Sequence, residues 1–265
     1  MDDGRGNPLL YLPLLEKINM EYKKKLIALN IKKADNFAVI LFFVSFILFG
    51  AINLFDKRTP VLTTGSVWFD SLLALGIFVV GMLAHEGIHA LGGMLFGRLR
   101  PDQVKFGFDV RGMNLFTHFE APMPMKGFLF TAILPCVVTA LVPIAFLTAF
   151  GGLIPLGAAC LLFAGCAGDI VTFVSALKQD KNALVSDHPT ALAYYLVYPE
   201  NALPEGFSAT TEEEENALIV KAQNKPYESE KARKRSVMSK CFGILVFVAL
   251  YVLVMYLLSL FMQFI

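Results

Sequence analysis

The sequence carries little charge for its length, because Asp, Glu, Lys and Arg together make up only 17% of its 265 residues. Hydrophobic residues account for 56%, which is more than a water-soluble globular domain usually contains. The formal net charge is +1, so the overall balance excludes a strongly basic, nucleic-acid-binding composition, and we expect no nucleic-acid partner. The composition instead predicts a chain that crosses a lipid bilayer several times.

Cysteine is also scarce. The four cysteines lie in apolar stretches and lack the short paired spacing of a thiolate zinc site or a secreted disulfide framework: Cys136, Cys160, Cys166 and Cys241. We interpret them as small buried apolar residues. We also expect no cleavable signal peptide, since the short apolar run at residues 9–15 is interrupted by Pro13. We therefore expect the N-terminus to be retained.

Long apolar stretches dominate the rest of the sequence. A helix that crosses about 30 Å of hydrocarbon needs roughly 20 apolar residues. The uncharged stretch from Gly127 to Gly168 is long enough for two such helices, and Gly151, Gly152 and Pro155 supply the break between them. The sequence thus predicts an all-α polytopic membrane protein with about five transmembrane helices, at residues 36–55, 71–97, 127–150, 153–177 and 241–265.

Lys and Arg are concentrated in three segments: before the first span, between the second and third, and between the fourth and fifth. Because short cytoplasmic loops carry the positive excess, this predicts a multi-pass protein of the cell (inner) membrane with a cytoplasmic N-terminus. The chain then divides into a cytoplasmic amphipathic segment (1–35), a four-span core (36–177), a cytoplasmic insertion (178–240) and a C-terminal transmembrane helix (241–265).

The polar segments have weaker patterns. Residues 9–31 interleave apolar and basic residues, as either an amphipathic surface helix or a solvated linker would. Apolar residues alternate over 104–110 and resume at 115–119, which predicts a short β-hairpin after the second span. Thr211 followed by four glutamates is typical of a capped helix start, so we predict an α-helical insertion with a basic juxtamembrane anchor at 231–235.

The second predicted span contains His85, Glu86 and His89 in a HExxH arrangement. On a helix, histidines with this spacing project from one face, where neutral imidazoles can bind one zinc ion. Glu86 then lies beside the metal and can act as general base toward a water that the metal activates. Core histidines paired with a glutamate are the alternative. An ionised group inside a membrane helix costs about 2.5–3.5 kcal/mol, which favours a functional site.

A catalytic zinc site usually has three protein ligands. Asp169 is the only charged residue between positions 127 and 177, and the span directions place it in the same half of the membrane as the two histidines. We therefore predict that Asp169 is the third ligand. The other candidates lie outside the spans, where a polar side chain needs no special explanation: Asp109, His118, Asp187 and His188.

A HExxH motif on an early transmembrane helix, an amphipathic loop after it and an aspartate on a later helix resemble the site-2 protease class of intramembrane zinc proteases. A bacterial family of membrane zincin peptidases is more closely similar, in segments that this chain carries at His85–Ala90, Lys105–Phe108, Pro135, Ala167–Ile170 and Asp187–Pro189. The resemblance covers about residues 75–200. It implies zinc held by His85, His89 and Asp169, a general base at Glu86, and a site that faces the cytoplasm.

One motif differs. The Asn-Pro-Asp-Gly sequence around the metal-binding aspartate of many site-2 proteases is replaced here by Gly168-Asp169-Ile170. The sequence as a whole predicts a zinc-dependent intramembrane or membrane-proximal peptidase whose substrates are membrane proteins or peptides in the lipid bilayer. A non-catalytic metal-binding membrane scaffold, a pseudoprotease, is the alternative. A transporter is disfavoured because the sequence shows no internal repeat.

Overall fold

The computed structural model describes residues 21–55, 62–109, 114–189, 191–223 and 248–257, together with residue 260. Within these residues the protein is mostly helical and contains some antiparallel sheet. Three regions with sequence predictions lie outside the described residues: the N-terminal part of the amphipathic segment, the turn of the hairpin and the basic anchor at 231–235.

Three helices are each long and apolar enough to cross a membrane: α1 (Ile31–Phe55), α2 (Val67–Leu95) and α3 (Met125–Phe150). The predicted span at 153–177 is two helices, α4 (Leu153–Gly165) and α5 (Ala167–Leu177), bent by 41°. The bend falls at Cys166, between two glycines that weaken helix formation. The described residues thus hold three candidate spans, or four if the bent pair forms one span. The predicted fifth span is described only at 248–257 and at residue 260.

The second span starts earlier than the sequence predicts. Asp70 ends the charged segment in the sequence, but in the structure it lies in the first turn of α2 and is fully buried. Its Oδ1 accepts hydrogen bonds from the backbone N–H of Thr64 at 2.8 Å and from the Thr64 hydroxyl at 2.7 Å. A hydrogen-bonded carboxylate in the first turn also interacts favourably with the helix dipole, so a charged Asp70 is compatible with the start of α2.

Six strands form two antiparallel sheets among the described residues: β1 (Tyr22–Ala28), β2 (Val104–Asp109), β3 (Asn114–Phe119), β4 (Met123–Pro124), β5 (Leu184–Asp187) and β6 (Ala193–Pro199). The first sheet has the order β1-β6-β5-β4, and the second consists of β2 and β3. In the second sheet Val104 pairs with Phe119 and Phe108 with Leu115. These are the strands of the predicted hairpin.

The prediction of an amphipathic helix or a solvated linker is wrong for residues 22–28. They form β1, which pairs with β6 from Tyr22↔Pro199 to Ala28↔Ala193. An all-α insertion is also wrong, because β5 and β6 lie within it. Alternating Lys and apolar residues fit a strand as well as a helix, and a strand partner more than 160 positions away leaves no local signal.

The rest of the insertion contains a helix, α6 (Glu212–Gln223), and its predicted capped start is confirmed. The Thr211 hydroxyl accepts a hydrogen bond from the backbone N–H of Glu214 at 3.3 Å. The Glu214 carboxylate accepts one from the Thr211 N–H at 3.0 Å. The two residues therefore form a reciprocal capping box.

The described residues form two hydrophobic cores. One lies under the four-stranded sheet and joins it to the segment after α2 and to α3 and α5, through residues such as Leu99, Met125 and Ala176. The other lies among α1, α2, α4 and the short apolar helix α7 (Val248–Leu257). The outer faces of α1 and α2 are apolar and exposed, with only 17% of each span buried. Such continuous exposed apolar surface is consistent with a membrane protein.

Candidate metal centre

Helix α2 carries His85, Glu86 and His89 at the point where it meets both the hairpin and the bent helix pair. His85 is 2% exposed and Glu86 is 9% exposed, so both polar groups lie inside the protein. Two glycines allow this close packing. A Cβ on Gly81 would lie 2.6 Å from the Leu162 side chain of α4, and one on Gly93 would lie 2.4 Å from the ring of Phe119.

Asp169 lies in the first turn of α5 and faces both histidines. Its Oδ2 lies 2.8 Å from Nε2 of His85, and its Oδ1 lies 3.2 Å from Nε2 of His89. The ligand atoms of the three residues lie within 4.8 Å of one another. The structure therefore brings together the three residues that the sequence predicts as metal ligands, in an arrangement that could hold a metal ion.

The other ring nitrogens of the histidines face α3. Nδ1 of His89 lies 2.9 Å from the backbone carbonyl oxygen of Thr131. Nδ1 of His85 lies 3.4 Å from the hydroxyl oxygen of Thr139, and that hydroxyl donates its own hydrogen to the carbonyl of Pro135 at 2.8 Å. Both partners of the histidines therefore act as acceptors, which places the ring hydrogen of each neutral imidazole on Nδ1.

This tautomer makes the site fit zinc. Each neutral Nε2 then carries a lone pair that points at an oxygen of Asp169, so acceptor faces acceptor at 2.8 and 3.2 Å. Such a contact is stable only with a cation between the atoms, either a proton or a metal ion. Two imidazole nitrogens and one carboxylate oxygen are a common ligand set of catalytic zinc. The second ring nitrogen of each histidine ligand usually donates a hydrogen bond to an acceptor that does not touch the metal.

Glu86 lies beside this group and contacts the hairpin. Its Oε2 lies 2.9 Å from the hydroxyl of Thr117 on β3, and the same hydroxyl lies 2.9 Å from the backbone carbonyl of Glu86. Thr117 is not among the site residues that the sequence predicts. Its only signal is its position in the predicted hairpin, which does not show that this strand reaches α2.

The alternative ligands lie elsewhere. Nδ1 of His118 lies 3.1 Å from Oδ2 of Asp187, and this hydrogen bond raises the pKa of His118 above its usual value. Nε2 of His188 lies 3.7 Å from Oε1 of Glu215, and burial lowers the pKa of His188. Among the described residues, neither pair joins the group formed by the three predicted ligands. The side chain of Asp109 lies outside the described part of the structure.

Comparison with known protein families matches residues 78–184 to the family described as "Putative zincin peptidase". The matched segment runs from the middle of α2 to the first residue of β5 and contains His85, Glu86, His89 and Asp169. No curated protein and no solved structure matches the chain. The match supports a zinc peptidase family and implies zinc as the metal.

Proposed function

Starting from the match of residues 78–184 to a family of zincin peptidases, we propose that this protein hydrolyses peptide bonds in membrane proteins or membrane-proximal peptides, as site-2 proteases do. The observation that carries the proposal is the convergence of His85 and His89, on a helix long enough to cross a membrane, with Asp169 on the bent pair α4–α5. Zinc held by these residues would polarise the scissile carbonyl and make an attacking water more acidic.

Glu86 is the general base in this proposal. Its carboxylate takes a proton from the attacking water and later returns it to the leaving nitrogen of the cleaved bond. The Thr117 hydroxyl lies 2.9 Å from Oε2 of Glu86 and can hold this carboxylate in one orientation. Glu86 is 9% exposed, so little bulk water competes for the carboxylate.

The substrate is an extended segment rather than a helix. The carbonyls of a helix are already hydrogen-bonded, so a helical substrate must unwind before a water can attack it. Within the described residues β2 and β3 pair only with each other, which leaves their outer edges open to a further strand. Since Thr117 of β3 touches Glu86, a peptide added along this strand would pass close to the general base.

The sheet supports the proposed orientation. It takes β1 from before α1, β4 from between α2 and α3, and β5 and β6 from after α5. Strands of one open sheet must lie on one side of a bilayer, because unpaired backbone groups are not tolerated in hydrocarbon. These are the segments that carry the concentrated Lys and Arg residues, so the sheet and the N-terminus are cytoplasmic in an inner membrane. The bent pair α4–α5 then counts as one crossing.

The test compares wild type with Glu86→Gln, both purified with zinc and reconstituted in lipid vesicles with single-span membrane proteins as substrates. The wild type should release fragments, and the glutamine variant should release none while it retains its zinc, because glutamine cannot accept the proton. Equal cleavage by both proteins would reject the proposed role of Glu86. Zinc retention with no cleavage by either protein, and no difference between their effects in cells, would favour the metal-binding scaffold.

A further inference from the structure

We infer that Pro135 is a positioning residue for the metal centre: it frees a backbone carbonyl of α3 that orients the ring of His89. The inference rests on the proposed use of His89 as a metal ligand, but it concerns the affinity and geometry of the site rather than peptide cleavage. Pro135 lies in the interior of α3 and is almost completely buried.

In an α-helix each carbonyl accepts a hydrogen bond from the N–H four residues later. The residue four positions after Thr131 is Pro135, which has no backbone N–H, so the Thr131 carbonyl has no donor in this ladder. In a membrane span no water replaces that donor, and an unpaired buried carbonyl costs free energy.

His89 supplies the missing donor. Its Nδ1 lies 2.9 Å from the Thr131 carbonyl oxygen. A carbonyl can only accept, so this contact keeps the hydrogen of His89 on Nδ1 and leaves Nε2 available toward Asp169. The proline thus leaves a backbone acceptor available to His89 inside an apolar helix.

Gly92 determines how closely the acceptor can approach. A Cβ at this position would lie 3.2 Å from the Cα of Thr131 and 3.4 Å from its hydroxyl oxygen. The backbones of α2 and α3 therefore lie in near contact one turn of helix away from His89. A larger side chain at position 92 would displace Thr131, and with it the carbonyl that His89 contacts.

A second proline on the same helix provides a matched control. Pro143 frees the carbonyl of Thr139 in the same way, but His85 contacts the hydroxyl of Thr139 rather than that carbonyl. Both prolines are buried in α3. Pro143→Ala therefore tests the general effect of removing a proline from this helix. It adds no backbone N–H that could compete with His89 for the Thr131 carbonyl.

The first experiment measures zinc affinity of the full-length wild type, Pro135→Ala and Pro143→Ala in detergent by competition with a chromophoric chelator. Alanine at 135 brings an N–H that bonds to Thr131 and competes with His89, so its zinc affinity should fall about 10- to 100-fold, the usual effect of removing an outer partner of a ligand. Pro143→Ala should stay within a few-fold of wild type. Equal affinity changes in both variants would overturn the inference, whatever the peptidase activity.

A second experiment measures the ring tautomers in wild type, and the only variants that it needs, for assignment, replace histidines outside the proposed site. The chain has only four histidines, so ¹⁵N-histidine spectra of the zinc-loaded protein can be assigned with His118→Ala and His188→Ala. We expect His89 to carry its hydrogen on Nδ1 and the metal on Nε2. A proton on Nε2 with the metal on Nδ1 would overturn the inference. Gly92→Ala should also weaken zinc binding, because the added methyl group would displace Thr131 and its carbonyl.

Discussion

The hydroxyl of Thr117 lies 2.9 Å from the carboxylate of Glu86, although the two residues are 31 positions apart. This contact joins the hairpin strand β3 to the helix that carries both histidines. It also links the two parts of the proposed reaction, since one partner belongs to the strand that would align a substrate and the other would move the proton.

Thr117→Val should slow the chemical step. Valine has a similar shape but lacks the hydroxyl, so Glu86 loses a hydrogen bond worth about 1.5–3 kcal/mol to a charged group, or roughly 10- to 100-fold in kcat. Zinc content should not change, because Thr117 contacts no ligand of the proposed site. Thr148→Val is a suitable control, since the Thr148 hydroxyl bonds back to Ala145 on its own helix. Unchanged kcat in Thr117→Val would show that the contact has no catalytic role.

Asp169→Ala should lose zinc. It leaves two histidines as ligands, so the affinity should fall by more than the roughly 10- to 100-fold expected for an outer partner. Asp187→Ala removes a carboxylate of the same size that pairs with His118 instead, and it should retain the metal. Metal analysis of both purified variants, with His85→Ala as a further zinc-free reference, checks this. Zinc retained in Asp169→Ala but lost in Asp187→Ala would move the site to the His118 region.

Phe106→Pro should impair cleavage without removing zinc. Phe106 lies on β2 opposite Thr117 and is 65% exposed, so its side chain contributes little to the core. Proline deletes a backbone donor of β2 and disrupts the hairpin that holds β3, the strand to which a substrate would be added. Phe106→Val keeps the donor and should retain most activity. If both variants cleave normally, the hairpin is a surface feature; if both fail equally, the aromatic side chain matters more than the strand edge.

The His118–Asp187 pair should make stability depend on pH. The hydrogen bond with Asp187 raises the pKa of His118 in the folded protein above its unfolded value of about 6.5. The pair therefore contributes its full stabilisation below pH 6.5 and loses it as the pH rises through the folded pKa. Since both side chains are partly exposed, we expect no more than about 1 kcal/mol.

Asp187→Asn tests this pH dependence. The variant should unfold at a lower temperature than wild type at pH 5.5, and the difference should shrink by pH 8.5. Thermal unfolding at both pH values measures the change, and the ¹⁵N titration of His118 reports its pKa directly. If the difference in unfolding temperature between wild type and Asp187→Asn grows with rising pH, the predicted direction of the pH dependence is wrong.

Local features of the sequence predicted much of the site. The histidines share one helix face because their spacing matches one turn, and Asp169 stands out because it is the only charged residue from 127 to 177. The apolar runs predicted α1, α2 and α3, since hydrocarbon thickness determines the length of a spanning helix. The sequence did not predict the bend at Cys166 within the span at 153–177, because the nearby glycines are only a weak local signal.

The sequence by itself determined which chemical groups are present and on which faces of local elements they lie: His85 and His89 on one helical face, Glu86 beside them, and a proline four positions after Thr131. Only the tertiary structure decided what those groups meet. Thr117 reaches Glu86, and the Thr131 carbonyl reaches His89, because separate elements pack together through long-range contacts. Helical spacing repeats within a few residues and is readable locally, whereas such contacts depend on how distant segments share one core and one membrane.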